Sequence, residues 1–148
     1  LNILIRKATE QDIKTIVDFQ IRMAMETENL TLDSDKISNG VKAVFNNSHH
    51  GQYFIAEIDE VLVGSLLITY EWSDWRNALV WWLQSVYVKP EHRKSGIFKR
   101  MYQHVKHIVH VDDKIAGIRL YMDKTNIGAD KVYRALGMDG DHYRVYEW

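Results

Sequence analysis

The chain has 148 residues, 46% of them hydrophobic and 26% charged, with a formal net charge of −1. These values describe one globular domain with enough apolar mass for a core, and they exclude a global bias toward nucleic acid or an anionic membrane. With no cysteine, disulfides, thiolate metal sites and a cysteine nucleophile are excluded as well.

The opening "NILIRKA" reads as a first strand. Its apolar run is too short for a signal sequence, and no run approaches the length of a membrane span. Together with the absent cysteines, this sets the expectation of a single cytoplasmic domain, residues 1–148. "ATEQD" then opens a helix, with Thr9 as N-cap and Asp12 three positions on, a variant of the capping box. Ile13, Ile16, Val17 and Gln20 follow at helical spacing. A second helix starts at Asp33 or Ser34 and turns Ile37, Val41 and Phe45 inward.

"GQYFIAEIDEVLVGSLLITYEW" breaks into two strands at a tight turn on Asp59 and Glu60. After "SDWRN", the segment "ALVWWLQSVYV" is apolar on both alternating faces. Val80, Trp82, Val86 and Val88 fall on one face; Leu79, Trp81, Leu83 and Tyr87 fall on the other. Such a strand belongs in the middle of a sheet covered by helices on both sides. A helix from Ser95 presents Phe98, Met101, Tyr102 and Val105. "IAGIRLYMDKTN" is another strand, "IGADKVYRALGM" a helix stopped by Gly137, and "YRVYEW" a last short strand suited to pairing across a homodimer. The order is β-α-α-β-β-β-α-β-α-β, an α/β fold with a mixed central sheet and helices on both faces.

The junction "VYVKPEHRKSGIFKRM" poses a problem of charge. A helix N-terminus carries partial positive charge and unpaired N–H groups, so acidic residues belong there. This one gathers Arg93, Lys94, Lys99 and Arg100 instead. Pro90 ends the strand, Ser95 is placed to cap the helix, and Gly96 lets the backbone approach a ligand closely. A loop with several N–H groups and cations converging on one point suits a phosphate or pyrophosphate. Neither the Walker pattern nor the dinucleotide G-x-G-x-x-G occurs.

These residues resemble the GNAT N-acetyltransferases, whose acetyl-CoA loop reads [QR]-x-x-G-x-[GA] after a strand ending in V-x-P-E. Arg93 and Gly96 match that loop, and Phe98 stands where the pattern has Gly or Ala. The likeness extends to "IRKATEQDI", to "VLVGSLLI" with Gly64, and to "NIGADKVYRALGM", which fits N-x-x-A-x-x-x-Y-x-x-L-G-[FM].

The resemblance implies a single-domain GNAT fold that moves an acetyl group from acetyl-CoA to a primary amine by direct attack, with no metal. It assigns the pyrophosphate to Arg93, Lys94, Ser95, Gly96, Ile97 and Phe98, with Lys99 and Arg100 as nearby charge. It assigns the pantetheine arm to the backbone of Val86, Tyr87 and Val88, and the general acid to Tyr133. Asn126 opens the same helix as its cap or as a pantetheine contact. The general base that many relatives carry as Glu on the fourth strand is replaced by Gln84. Acidic side chains around the implied acceptor pocket, Glu26, Glu28, Glu71 and Asp74, with Trp72 at the adjoining turn, are candidates to draw in a cationic small-molecule or peptide amine.

Other features carry less. His104, His107 and His110 drift around their helix axis with no further ligand evident, and no metal site is expected. Trp81 and Trp82 read as sheet packing. With Gln84 in the base position, a non-catalytic acyl-CoA-binding or sensing module is the competing reading. A nucleic-acid-binding loop is opposed by the near-neutral charge and the lack of a reader motif.

Overall fold

The computed structural model describes residues 2–148. Strands β1 (Ile3–Lys7), β2 (Gln52–Ile58), β3 (Val61–Ser73), β4 (Ala78–Val88) and β5 (Ile115–Arg119) form one sheet in chain order. Neighbours are antiparallel except β4 and β5, which run parallel. The helices are α1 (Ile13–Glu28), α2 (Ser34–Asn46), α3 (Ile97–Val111) and α4 (Ile127–Ala135). Two apolar cores result. In one, Ile16 of α1 and Val41 of α2 pack on Tyr53 and Ile55. In the other, Ile97, Met101, Tyr102 and Val105 of α3 pack on Phe54, Leu66, Ile68 and Leu83. The sheet is therefore covered on both faces, as its doubly apolar central strand requires.

Local chemistry sets the joints. Thr9 and Asp12 form the expected capping box around a short 3₁₀ turn, Glu10–Asp12, with the Thr9 N–H donating to Asp12 Oδ2 at 2.7 Å. Asp12 also accepts from both terminal nitrogens of Arg6, at 2.9 and 3.1 Å, and Arg6 Nε donates to Glu57 at 2.8 Å. That network ties β1, β2 and the start of α1 together. Burial alone would raise the Asp12 carboxyl, but the Arg6 guanidinium and the Thr9 N–H outweigh it and hold it below the usual carboxylate range. Asp33 caps α2 by accepting from the Lys36 N–H at 2.9 Å. Asp59 and Glu60 both take positive φ, 49° and 66°, as a two-residue hairpin turn demands.

Three expectations are corrected. Residues 143–148 have the alternation of a strand but form none, because a strand requires a partner edge and this segment meets none within its own chain. β5 stops at Arg119, where its pairing with β4 ends, so the residues after it are not strand. The alternation of β4 is also broken. Ser65 faces Tyr87 and Leu67 faces Gln84, so Ser85 and Val86 stand opposite Leu66 alone. Ser85 takes φ 50°, and this bulge shifts the side-chain phase. As a result Leu79, Trp81, Leu83, Val86 and Val88 share the α3 core, while Tyr87 packs on Phe19 of α1 at 5.0 Å.

Candidate active site

β4 outruns its parallel partner. Its last pair with β5 is Trp82 with Arg119, and β4 continues to Val88. Along residues 83–88 one edge of β4 pairs with β3 while the edge toward β5 lies open. The bulge at Ser85 falls inside this stretch and takes one residue out of the ladder. An extended ligand arm is thus offered main-chain donors and acceptors along a free strand edge.

At the end of β4 the chain makes a second 3₁₀ turn, Pro90–His92, and then climbs into α3. Lys94 and Gly96 both have positive φ, 60° and 82°. Gly96 is the N-cap residue of α3, no side chain caps the helix, and its first turn holds no acid. Ser95 does not take the expected capping role, since its hydroxyl donates to the His92 carbonyl. The first N–H groups of α3 are left facing outward, and the space beside the Gly96 Cα is open. Ile97 is buried in the core, so the loop meets a ligand with backbone, while Lys94, Lys99 and Arg100 stand exposed around it. Uncapped donors, a left-handed glycine and surrounding cations fit a pyrophosphate.

Arg93 is already engaged. Its Nε donates to the Val88 carbonyl at 2.8 Å, its terminal nitrogen pairs with Glu26 at 2.6 Å, and its guanidinium lies 5.5 Å from the Tyr87 ring centre. The Tyr87 hydroxyl donates to the same Glu26 carboxylate at 3.3 Å. Glu26, at the end of α1, therefore sits beside the loop as a partner of its arginine.

α4 approaches from the other side. Asn126 caps it, accepting from the Ala129 N–H at 3.1 Å. Tyr133 lies on the inner side of α4, and its ring meets Phe98 edge-on, with 5.8 Å between centroids and 72° between planes. Phe98 in turn packs on Tyr102 at 6.3 Å. Burial pushes the Tyr133 phenol above its ordinary pKa, which keeps it protonated as a donor.

Tyr133 lines an open groove of about 1490 Å³ between α3, β5, α4 and the last residues of the chain. Trp82, Arg119, Tyr121 and Tyr143 also line it. Glu71 is tied into this wall through the Trp82 indole N–H at 2.9 Å and Arg119 at 2.7 Å. The indole hydrogen bond and then the arginine hold its carboxyl below the usual range, against some loss of solvation. A carboxylate so held is a weak proton acceptor. Gln84 donates to the Thr69 hydroxyl across the strand pair. Trp72 and Asp74 sit at the far end of the β3–β4 hairpin and are not among the groove's lining residues, whereas Glu28 is. Trp82, Arg119, Tyr121 and Tyr143 were not singled out as site residues from sequence. For Trp82 the signal was there, since it shares the sheet face of the polar Gln84.

Residues 19–138 match the Acetyltransferase (GNAT) family. The chain belongs to the GNAT acetyltransferase family. It is 30% identical to the Thialysine N-epsilon-acetyltransferase of Bos taurus over 145 residues, 91% of this chain and 83% of that protein. A possible acetyltransferase from Clostridium difficile 630 superposes with a TM-score of 0.92 at 41% identity, covering 99% of this chain and 96% of that one. The same GNAT fold recurs, at 16% identity and a TM-score of 0.78, in AAC(6')-Iy solved with a bisubstrate analog, CoA-S-monomethyl-acetylneamine, covering 100% and 98% of the two chains.

Proposed function

We propose that this GNAT protein moves an acetyl group from acetyl-CoA to a primary amine by direct transfer, with Tyr133 as the general acid. The observation that carries the reading is the Phe98–Tyr133 contact, which joins the cationic loop to a protonated phenol on the wall of the groove. Acetyl-CoA supplies the activated acyl thioester. The loop of Arg93, Lys94, Ser95, Gly96, Ile97 and Phe98 holds its pyrophosphate, and the open edge of Val86, Tyr87 and Val88 aligns its arm. A main-chain N–H released at the bulge stabilises the oxyanion. Tyr133 gives its proton to the departing thiolate, whose basicity a phenol roughly matches.

Gln84 cannot accept a proton, and Glu26 and Glu71 are both spent on arginines. The amine's proton therefore leaves through water or to Glu28, which lines the groove and holds no ion-pair partner among the described residues. The relative named for thialysine supports a small acceptor with an amine at the end of a flexible chain, with Glu28 as one of the lining carboxylates that meet it. A cytoplasmic setting, where a cysteine-free domain and acetyl-CoA coexist, goes with this reading.

The test is release of CoA thiol from acetyl-CoA, read with a thiol dye over a panel of lysine analogues, polyamines, aminoglycosides and peptides. The protein has no cysteine, so it adds no background. Release should depend on one amine class and fall about 10²-fold or more in Tyr133→Phe. The absent carboxylate at Gln84 favours a second reading, an acyl-CoA-binding module. Acetyl-CoA binding by calorimetry with no release for any amine would select it.

A further inference from the structure

We infer that Arg119 anchors a carboxylate on the acceptor, so that the amine to be acetylated stands at the end of an ω-amino acid rather than a polyamine. This rests on the amine-acceptor reading above and adds what the far end of the acceptor carries. Arg119 is the last residue of β5 and stands in register with Trp82 of β4. Both line the groove that Tyr133 lines. Arg119 Nη1 donates to Glu71 at 2.7 Å, and the arginine side chain keeps 26% of its surface exposed. A guanidinium has five donors in a planar fork. Among the described residues, Nε and Nη2 of Arg119 have no hydrogen-bond partner.

The group is also held still. The Tyr143 ring centre lies 5.3 Å from the guanidinium carbon. Glu71 is itself fixed, since its other oxygen accepts from the Trp82 indole N–H at 2.9 Å, and Trp82 packs against Tyr121 with 6.3 Å between centroids. Both Glu71 oxygens are therefore engaged, while the arginine retains free donors beside the groove. A second carboxylate meets those donors at little cost in ordering, in the two-point geometry that suits a guanidinium. An ammonium in the same place would face a like charge, which disfavours a plain diamine.

The spacing agrees. Gln84 lies two residues beyond Trp82, roughly 7 Å along the strand. The Ser85 bulge, where the oxyanion is proposed to form, comes next. This interval is about the reach from the carboxylate of lysine or thialysine to its terminal amine. Glu28 lines the same groove, so an acceptor with ends of opposite charge finds a partner for each.

The test compares acceptors that differ only by the carboxylate, through CoA thiol release: lysine against cadaverine, ornithine against putrescine, and thialysine against its decarboxylated form. The acid should have a kcat/KM roughly 10- to 100-fold higher, expressed in KM, as a charge-assisted pair provides. In Arg119→Gln the preference should vanish through a rise in the KM of the acid. Arg119→Lys should restore part of it, keeping the charge without the fork, and it keeps the test available if Arg119→Gln does not fold. An arginine that only braces Glu71 would on removal lower both acceptors alike, together with stability in chemical denaturation. That result would overturn the inference, as would equal or faster turnover of the diamines in the wild type. Thiol release from no amine at all would sink the transferase reading alone. Calorimetry on the CoA-loaded protein then decides the inference: lysine bound more tightly than cadaverine, and only with Arg119 present, sustains it, and equal affinities overturn it.

Discussion

Phe98 puts an aromatic ring at the loop position where the GNAT pattern has glycine or alanine, and in this protein the ring is used as a wall for Tyr133. Edge-to-face pairs are worth about 0.5–1.5 kcal/mol beyond their buried area. If that energy holds the phenol in its working orientation, Phe98→Ala should lower kcat roughly 2- to 10-fold. The KM for acetyl-CoA should hardly move, because the substitution preserves the backbone N–H groups proposed to bind it. Phe98→Leu should recover part of the loss. Equal changes in kcat and KM would mean that Phe98 shapes the loop and does not position the acid. The loop and the tyrosine motif were each legible in the sequence. Their contact was not, since nothing in the spacing of residues 98 and 133 says that two helices bring them together.

Two elements depend on backbone conformations that only structure reveals. Gly96 was legible as a loop glycine, and its φ of 82° shows why alanine is unwelcome although the site has room for a Cβ. Gly96→Ala should cost about 1 kcal/mol of stability. It should raise the acetyl-CoA KM by more than that strain alone implies, by tilting the first N–H groups of α3. Chemical denaturation and acetyl-CoA titration on the same variant separate the two effects. The Ser85 bulge was not legible, because serine carries no bulge signature. Strict alternation consequently assigned Val86 and Val88 to the wrong face.

The capping box at Thr9 and Asp12 was legible from four residues, but its wider role was hidden, because Arg6 and Glu57 join it only once β1 pairs with β2. The Asp12 carboxyl is lowered on folding, so its contribution is full above the ordinary carboxylate range and is lost as pH falls through the lowered value. Asp12→Asn should therefore cost roughly 2 kcal/mol at neutral pH, and the gap to wild type should close below about pH 4. A gap independent of pH would assign the loss to packing.

At the scale of the whole molecule, a net charge of −1 supplies no long-range field for an anionic ligand. The attraction has to be local. Arg93 is neutralised by Glu26. Lys94, Lys99 and Arg100 are exposed and, among the described residues, form no ion pair. Exposed charges act over about one Debye length, ~10 Å at 0.1 M salt, a range that reaches a pyrophosphate on the α3 N-terminus but little beyond it. The KM for acetyl-CoA should accordingly rise several-fold as salt increases, while kcat stays level. In a Lys99→Gln, Arg100→Gln double variant the KM should start higher and respond less to salt, since the screened charges are gone. The acceptor's KM should keep its own salt dependence in that variant, because Lys99 and Arg100 are not among the residues that line the groove. Identical acetyl-CoA salt slopes in the two proteins would assign the anion site to the backbone alone.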